Sequence, residues 1–301
     1  MKILITGATG FLGQSITSFL LGKGHTIHYL TTQPKKLLDS TRYHGFLWNP
    51  KKGELDVRSL EGVEVIVHLA GESIAGSWSK EGKERILQSR VISSQLLFSV
   101  LKSNSHQVKN IVCASAIGIY KNSDQWQYEN RNEIASDFLG DVVLKWESEN
   151  NKFESLGIGV CLIRIGLVLS RTAGALPELI RPIMWRFGSV LGKGNQYYSW
   201  IHVDDLTRLF AYAIENNLIG VYNAVAQEPE TNKNFVRTLA AKLDRVIWLP
   251  RVPTFMLTLV LGEKHILVTS GQRVSNDKVL ETGFAFKFPT LDKALSNLLN
   301  K

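Results

Sequence analysis

The sequence has few of the features that mark secreted, membrane-spanning or metal-binding proteins. Its 301 residues contain only two cysteines, Cys113 and Cys161, and both lie in apolar runs, where we expect reduced, buried thiols. No apolar run approaches the roughly 18 residues that span a bilayer. The apolar stretch at the start is too short for a signal peptide, so we expect a cytoplasmic protein. The seven histidines show no metal-ligand spacing, which predicts no metal site.

Charge of one sign is also never concentrated. The net charge of +8 is spread along the chain, with "PKK" and "KEGKER" as the densest basic stretches. Zinc-finger spacing and a basic-region heptad are missing too, so we expect no nucleic-acid partner. We interpret the chain as having a mildly basic surface that attracts phosphate groups, with a small molecule as its substrate.

The first half of the chain alternates short apolar runs with helical patterns. We predict strands at residues 2–6, 25–31, 63–69, 108–115 and 159–165. We predict helices at residues 11–23, 80–104 and 137–156. Near-continuous Val, Ile and Leu in the strands indicates burial on both faces. The alternation predicts an α/β fold, a Rossmann-type doubly wound parallel sheet.

The rhythm changes after Ile165, where glycine and aromatic residues become frequent and the elements become shorter. We therefore assign residues 1–165 to the Rossmann-type sheet domain and 166–301 mainly to a smaller, mixed substrate lobe. That lobe includes a C-terminal small domain at about 251–298. The segment at about 197–223 is expected to return to the sheet domain.

Three glycines, in "ITGATGFLG", directly follow the first predicted strand and lie at the start of the first predicted helix. Gly7 makes the tight turn, Gly10 lets backbone amides reach a pyrophosphate, and Gly13 lets helix and strand pack closely. The amides and the positive dipole end of the helix favour an anion there. The alternative is a glycine-rich turn that binds nothing. We predict cofactor contacts at Gly7, Thr9, Gly10, Phe11 and Leu12.

No carboxylate ends the second predicted strand, where a NAD-preferring site usually holds the ribose hydroxyls. The strand ends in "YLTTQPKK", with Thr32 followed by Lys35 and Lys36 within reach of a 2′-phosphate. This pattern favours NADP over NAD, with Thr32 and Lys35 as cofactor contacts. The alternative is that both lysines form the solvated start of a helix.

With these motifs the chain resembles the extended short-chain dehydrogenase/reductase superfamily, and within it the "epimerase family protein" branch that ends in a small C-terminal domain. Besides the glycine motif, the resemblance rests on "HLAGESIAGSWSKEGKERILQSR", "SAIGIY", "DFLGDVVLKWE", "RIGLVLSRTAGAL", "LGKGNQYYSWIHVDD" and "LGEKHILVTSGQRVSNDKVLETGFAFKFPTLDKAL". It covers essentially the whole chain. It implies a Rossmann sheet, a bound nicotinamide cofactor and a C-terminal substrate lobe.

The superfamily's catalytic set consists of a Ser or Thr after the fifth strand, a Tyr that acts as general acid/base, and a Lys four residues after the Tyr. Aligned on Glu147, the Tyr and Lys positions fall at Leu139 and Val143. The resemblance therefore implies that the usual Tyr–Lys pair is missing, as it is across the branch. Lys145 lies about 200° around a helix from Val143, so it cannot replace the missing lysine.

Three other side chains are catalytic candidates. Tyr120 follows the fifth strand and is either a proton donor or a wall of the nicotinamide site. Ser115, beside Ala116 at the usual serine position, is either a contact to cofactor or substrate or a strand-end cap. Glu72 follows the fourth strand and either orients a hydroxyl, serves as a base or caps the next segment. The small turn before it is predicted to lie against the cofactor, through Leu69, Ala70 and Gly71.

Substrate contacts are predicted at Glu129, Lys193, Gln196 and Trp200. Glu129 lies on the loop before a predicted helix, and the other three belong to "LGKGNQYYSWIHVDD", a substrate-lobe motif of the superfamily. Trp200 is equally plausible as a core residue. Arg164 lies inside a predicted strand and needs a partner, which is either an internal carboxylate or a ligand.

Two functions follow from these features. The first is an NADP(H)-binding, epimerase/dehydratase-like oxidoreductase that acts on a small polar substrate. The second, favoured by the missing Tyr–Lys pair, is a non-catalytic NADP(H)-binding sensor or protein-interaction scaffold. The substrate, the occurrence of turnover and the oligomeric state stay open.

Overall fold

The computed structural model describes residues 1–130 and 134–300, and the chain divides into two compact units. The first unit consists of Met1–Ile119, Ser136–Arg164 and Thr207–Tyr222. The second unit consists of Tyr120–Ala135, Ile165–Leu206 and Asn223–Lys301. Each unit is therefore built from separate segments of the chain.

The strands of the described residues are short, as is usual for globular proteins. They are β1 (Lys2–Thr6), β2 (Thr26–Thr31), β3 (Asp39–Ser40), β4 (Tyr43–Asn49), β5 (Glu54–Leu55), β6 (Val65–His68), β7 (Asn110–Ala116), β8 (Ser123–Gln127), β9 (Gly159–Ile165), β10 (Leu167–Leu169), β11 (Tyr197–Tyr198), β12 (Trp200–His202), β13 (Gly220–Ala224), β14 (Glu230–Thr231) and β15 (Gln272–Val274).

The helices of the described residues range from a single turn to 24 residues. They are α1 (Phe11–Gly22), α2 (Lys80–Ser103), α3 (Phe138–Asn151), α4 (Leu176–Met184), α5 (Val203–Glu215), α6 (Asn232–Lys242), α7 (Thr254–Leu261), α8 (Ile266–Thr269), α9 (Asp277–Glu281) and α10 (Leu291–Leu298). None of them, in the part of the chain that the structure describes, combines the length and apolar character needed to cross a membrane.

The largest sheet contains nine strands in the order β13-β9-β7-β6-β1-β2-β4-β3, with β5 paired to β4. β1 runs parallel to β2 and β6, and parallel pairs also join β2 to β4 and β6 to β7. The two-residue strands β3 and β5 run antiparallel to β4. The long strands follow chain order outward from β1 on both sides, which is the Rossmann arrangement. The predicted fold class is confirmed.

The register of the sheet brings three loops to one edge. Thr6 at the end of β1 lies opposite His68 at the end of β6, and His68 lies opposite Cys113 of β7. Since the carboxyl ends of parallel strands share an edge, the loops after β1, β6 and β7 are neighbours there. This edge carries residues that we predicted to contact the cofactor.

The sheet is buried because its strands are apolar on both faces. Leu4 of β1 and Ile66 of β6 have no exposed surface, and they pack in a cluster with Leu97 of α2 and with Phe153. Cys113 belongs to the same cluster, and Cys161 of β9 is equally buried; both cysteines are reduced rather than disulfide-bonded, as predicted. The burial of Cys113 raises the pKa of its thiol well above the usual value.

The second unit has smaller sheets and its own core. β10 pairs parallel with β12, β11 pairs antiparallel with β14, and β15 pairs parallel with β8. Trp200 of β12 packs with Phe235 of α6 and Leu295 of α10 in one apolar cluster. The C-terminal helix therefore covers the second unit with the apolar stripe that its sequence pattern predicts.

Candidate functional site

The turn after β1 has a backbone that only glycine allows. Gly7 has a φ of +72°, and a Cβ there would lie 3.0 Å from the carbonyl carbon and oxygen of Leu69. A Cβ on Gly13 would lie 2.1 Å from the carbonyl oxygen of Gly7. Both close approaches are the ones that a dinucleotide-binding turn requires. The residues present therefore fit the pyrophosphate of a dinucleotide.

The first turn of α1 leaves its amides available to an anion. Gly10 is the N-cap residue, and among the described residues no side chain caps this end of the 12-residue helix. Thr9, Phe11 and Leu12 belong to the same turn, and the carbonyl of Thr9 accepts a hydrogen bond from the Gln14 side chain at 3.1 Å. Uncapped amides at the positive end of a helix dipole form an anion site.

A buried polar network fixes the turn after β6. The Thr6 hydroxyl oxygen accepts hydrogen bonds from the backbone N–H groups of Leu69 and Ala70, both at 3.1 Å. Its two lone pairs are then occupied, so its own hydrogen is donated to Nδ1 of His68 at 2.8 Å. His68 therefore carries its proton on Nε2, which donates to Ser94 at 3.1 Å. Complete burial lowers the pKa of His68 to about 4, which keeps the ring neutral.

The next residues of this loop pack against a partly buried arginine. A Cβ on Gly71 would lie 3.1 Å from the Arg90 guanidinium, and Arg90 donates to the backbone carbonyl of Glu72 at 3.0 Å. Burial lowers the pKa of Arg90 to about 10, and its guanidinium lies 4.9 Å from the ring centroid of Trp146. The Glu72 carboxylate is 41% exposed and accepts a hydrogen bond from Arg85 at 3.2 Å. Glu72 thus keeps an oxygen toward solvent while its backbone is held. The sequence had not identified Arg90.

The end of β2 carries the residues predicted to select NADP. Thr32 is exposed, and Lys35 lies exposed on a single 3-10 turn, Pro34–Lys36. The structure thus places both in solvent directly after a sheet strand. The exposed turn also fits the alternative, in which the lysines are only solvated.

A buried tyrosine fixes that turn, and the sequence had not identified it. Tyr29 has no exposed surface, and its hydroxyl donates to the carbonyl of Lys36 at 2.7 Å and accepts from the N–H of Leu38 at 2.6 Å. A Cβ on Gly45 of β4 would lie 2.5 Å from the Tyr29 hydroxyl oxygen. Only glycine at this position leaves room for the phenol that holds the segment bearing Lys35.

Ser115 lies at the end of β7, but its hydroxyl is already in use. It donates to the Glu147 carboxylate, which also accepts two hydrogen bonds from Arg164, at 2.9 Å from Nε and 2.8 Å from Nη2. Glu147 and Arg164 are only 6% and 7% exposed. We predicted that Arg164 pairs with either an internal carboxylate or a ligand, and the structure shows the internal carboxylate, that of Glu147.

The face of α3 that carries Glu147 also carries the two positions at which we aligned the superfamily's catalytic pair. Leu139, Val143 and Glu147 are spaced by four residues, so they share one face of the helix. Val143 is buried at 4% exposure. Lys145 is exposed and bonds to Asp141 at 2.9 Å on the outer face.

Tyr120 is buried, and its phenol is hydrogen-bonded inside the second unit. Its hydroxyl donates to the side-chain oxygen of Asn223 at 2.7 Å, and only 1% of the residue is exposed. Asn223 in turn donates its amide to the carbonyl of Ser275 at 3.0 Å and its backbone N–H to the Glu129 carboxylate at 2.9 Å. The structure thus brings Tyr120 and Glu129 together around Asn223, a residue that the sequence patterns did not mark.

The residues of the substrate-lobe motif have different environments. Lys193 is exposed. Gln196 donates its side-chain amide to the carbonyls of Leu191 and Val268, each at 3.0 Å, which ties two loops together. Trp200 has no exposed surface, and its indole N–H donates to a backbone carbonyl at 3.0 Å, so its side chain belongs to the core. Of the three, Lys193 is the one whose side chain reaches solvent freely.

Comparison with known proteins agrees with this geometry. The model of the NAD dependent epimerase/dehydratase family matches residues 3–224. The chain belongs to this family. Residues 252–298 also match a domain of unknown function (DUF1731), within the tail that we predicted as a small C-terminal domain.

Family members with curated sequences align over nearly their whole lengths. The epimerase family protein YfhF of Bacillus subtilis (strain 168) is 35% identical over 301 residues, which cover 99% of this chain and 98% of that protein. The epimerase family protein SDR39U1 of Mus musculus is 30% identical over 305 residues, which cover 99% and 100%. The resemblance to the epimerase branch of the extended reductases is confirmed.

Two solved structures share the fold. Human epimerase family protein SDR39U1 (isoform 2), solved with NADPH, superposes with a TM-score of 0.85 at 27% identity and covers both chains completely. The nucleoside-diphosphate sugar epimerase of Corynebacterium glutamicum gives a TM-score of 0.79 at 26% identity, over 99% of this chain and 58% of that one.

Proposed function

We propose that this family member binds NADP(H) at the carboxyl edge of its sheet. The observation that carries the proposal is the uncapped start of α1 behind the Gly7 turn, where a Cβ on Gly13 would lie 2.1 Å from the Gly7 carbonyl oxygen. The carboxylate-free end of β2, with Lys35 held on a fixed turn, supports NADP over NAD. The human relative solved with NADPH supports the same choice.

Exchange of one lysine tests the preference for the phosphate. Lys35→Ala should weaken NADPH binding roughly 10- to 100-fold and leave NADH binding unchanged, because only NADPH carries the 2′-phosphate that the ammonium would bind. Thermal unfolding at increasing cofactor concentration measures both affinities. Lys51→Ala is a matched control, since Pro50–Lys52 repeats the same three residues on an equivalent 3-10 turn. Equal stabilisation of the wild type by NADPH and NADH would contradict the assignment.

We further propose an oxidoreductase on a small polar substrate. Bound NADP+ would supply the hydride acceptor for an alcohol carbon. Glu72 would take the hydroxyl proton as the carbonyl forms. It is the first candidate because its carboxylate is 41% exposed and follows the turn that packs on Gly7. Tyr120 and Ser115 stay candidates, but each would first have to leave its bond to Asn223 or Glu147.

The test of this step is a screen of alcohols and ketones that follows the absorbance of the reduced cofactor. Glu72→Gln should lower the rate by roughly 100- to 10,000-fold while NADPH still binds, because the variant cannot accept a proton. Glu84→Gln on α2 is the control, since Glu84 is exposed and only accepts a hydrogen bond from Gln88. Unchanged turnover in Glu72→Gln would return the role to Tyr120, which Tyr120→Phe then tests.

A second function has support of its own. The face of α3 presents Leu139 and Val143 at the positions that we aligned with the superfamily's Tyr and Lys, and the Ser115 hydroxyl is bonded to Glu147. These observations favour a non-catalytic NADP(H) sensor or protein-interaction scaffold. Tight NADPH binding without turnover of any substrate in the screen is the result expected for this alternative.

A further inference from the structure

Arg273 has an unusual environment in the second unit. Its guanidinium carbon lies over the ring of Trp126, 4.2 Å from the ring centroid, and 5.0 Å from the ring centroid of Tyr197. The residue is partly buried, and its Nε atom is buried without a hydrogen-bond partner. Two aromatic faces therefore hold the guanidinium, while its Nε–H finds no acceptor among the residues that the structure describes.

Carboxylates that could neutralise this arginine are missing from the described residues. No described side chain forms an ion pair with Arg273, and no described residue accepts a hydrogen bond from it. A guanidinium carries five N–H donors in a flat fork that matches the two oxygens of a carboxylate or phosphate. A side chain whose only role was packing would not need this charge, because a neutral residue would stack on the rings without leaving donors unpaired.

The backbone around Arg273 is built for close approach. A Cβ on Gly271 would lie 2.5 Å from both the backbone nitrogen and oxygen of Tyr197, and 2.9 Å from the Cβ of Gln196. Only glycine lets β15 begin this close to β11, which brings Arg273 to the Tyr197 ring. Gln196 is a predicted substrate contact, and so is the exposed Lys193, three residues before it.

We infer that Arg273 binds an oxyanion of the substrate, either a carboxylate or a phosphate. The rings of Trp126 and Tyr197 orient the guanidinium, and the anion supplies the acceptors that the described protein residues do not. The inference narrows the small polar substrate of the proposed function to an anionic one. It rests on the proposed function only because it identifies the bound anion as part of the substrate.

The test uses the arginine Nε–H resonances of the full-length, 15N-labelled chain loaded with NADPH, which occupies the cofactor's own phosphate site. Inorganic phosphate, acetate and chloride are titrated separately. The Arg273 resonance is identified by its loss in Arg273→Lys. It should shift saturably with phosphate or with acetate, and the anion that shifts it shows whether the site binds a phosphate or a carboxylate. The Arg164 resonance is the internal control, because its Nε already donates to Glu147 at 2.9 Å.

A companion variant keeps the result independent of spectral assignment. In Arg273→Gln, the anion that shifted the resonance should no longer stabilise the protein against unfolding. Arg181→Gln should keep this stabilisation, because Arg181 is an exposed arginine of the same unit that pairs with Glu178. No shift with either oxyanion, or equal shifts with chloride, overturns the inference. Failure of NADPH to bind would contradict the proposed function alone, since the Arg273 resonance can also be followed without cofactor.

Discussion

Arg164 of the first unit and Arg273 of the second both lie on strands and are largely withdrawn from water, but their partners differ. Arg164 makes two hydrogen bonds to one buried carboxylate, that of Glu147, which also accepts from Ser115. Arg273 has two aromatic rings and, within the described residues, no carboxylate. A charge whose donors are satisfied internally holds a structure, whereas a charge that is oriented and left unsatisfied can still bind a ligand.

The largest effect is expected from removing the carboxylate of the first unit. Glu147→Gln would remove the carboxylate that accepts hydrogen bonds from Nε and Nη2 of the buried Arg164, and breaking a buried ion pair in this way costs about 3–5 kcal/mol of unfolding free energy. Urea unfolding measures the loss. Asp141→Asn breaks the exposed Lys145 pair on the same helix and should cost about 0–1 kcal/mol. Similar losses in the two variants would show that the buried ion pair contributes no more to the unfolding free energy than the exposed one.

The second prediction concerns pH and the buried His68. Burial lowers the pKa of His68 to about 4, against 6.5 in the unfolded chain. Because the pKa of His68 is lower in the folded chain than in the unfolded chain, its contribution to stability is fully present above pH 6.5. The contribution is lost as the pH falls from 6.5 to about 4, because only the unfolded chain then binds the proton. The difference corresponds to about 3 kcal/mol.

Unfolding free energies at pH 7 and pH 4 of the wild type and of His68→Gln measure this contribution. The variant should lose about 3 kcal/mol less than the wild type between the two pH values. His28 and His202, whose pKa values burial also lowers, contribute equally in both proteins and cancel in the difference. Identical slopes would mean that His68 is not the group that titrates.

A smaller effect, and one on selectivity, is expected at Tyr29. Tyr29→Phe leaves the carbonyl of Lys36 and the N–H of Leu38 without their partner, which costs about 1–3 kcal/mol in unfolding free energy. Because the turn that bears Lys35 is then less fixed, NADPH binding should weaken while NADH binding stays the same. Tyr128→Phe, at an exposed tyrosine, controls for the loss of a hydroxyl. A parallel fall in both cofactor affinities would show a general loss of folding instead.

The fold was predictable where the sequence pattern is local. The apolar runs predicted β1 and β9 at their observed bounds, and the glycine spacing predicted the turn before α1. β4, with the sequence "YHGFLWN", was not predicted, because its histidine, glycine and asparagine interrupt the apolar pattern that marked the other strands. Its position in the sheet comes from pairing with β2, which is tertiary information.

The candidate site was predictable only in part, for the same reason. Glycine turns and strand ends are local features, so the sequence predicted which loops meet at the candidate cofactor edge. The partners of the buried polar groups were not local: Tyr120 and Asn223 are 103 residues apart, and Ser115 and Glu147 are 32 apart. Sequence patterns therefore left Tyr120 and Ser115 as catalytic candidates with a structural alternative each, whereas the fold gives each hydroxyl an internal acceptor.

The smallest expected effect is that of Arg273→Gln on stability, and it completes the comparison of the two arginines. The change removes two cation–π contacts, worth about 0.5–1 kcal/mol each at partly exposed sites, but it also removes unpaired donors. The net loss of unfolding free energy should be about 1 kcal/mol or less, well below that of Glu147→Gln, and urea unfolding of both variants in parallel measures it. Lys145→Gln, at an exposed lysine of the first unit, gives the baseline for a lost positive charge. A loss as large as that of Glu147→Gln would show that Arg273 supports the fold, whereas a small loss leaves its charge available for an anion.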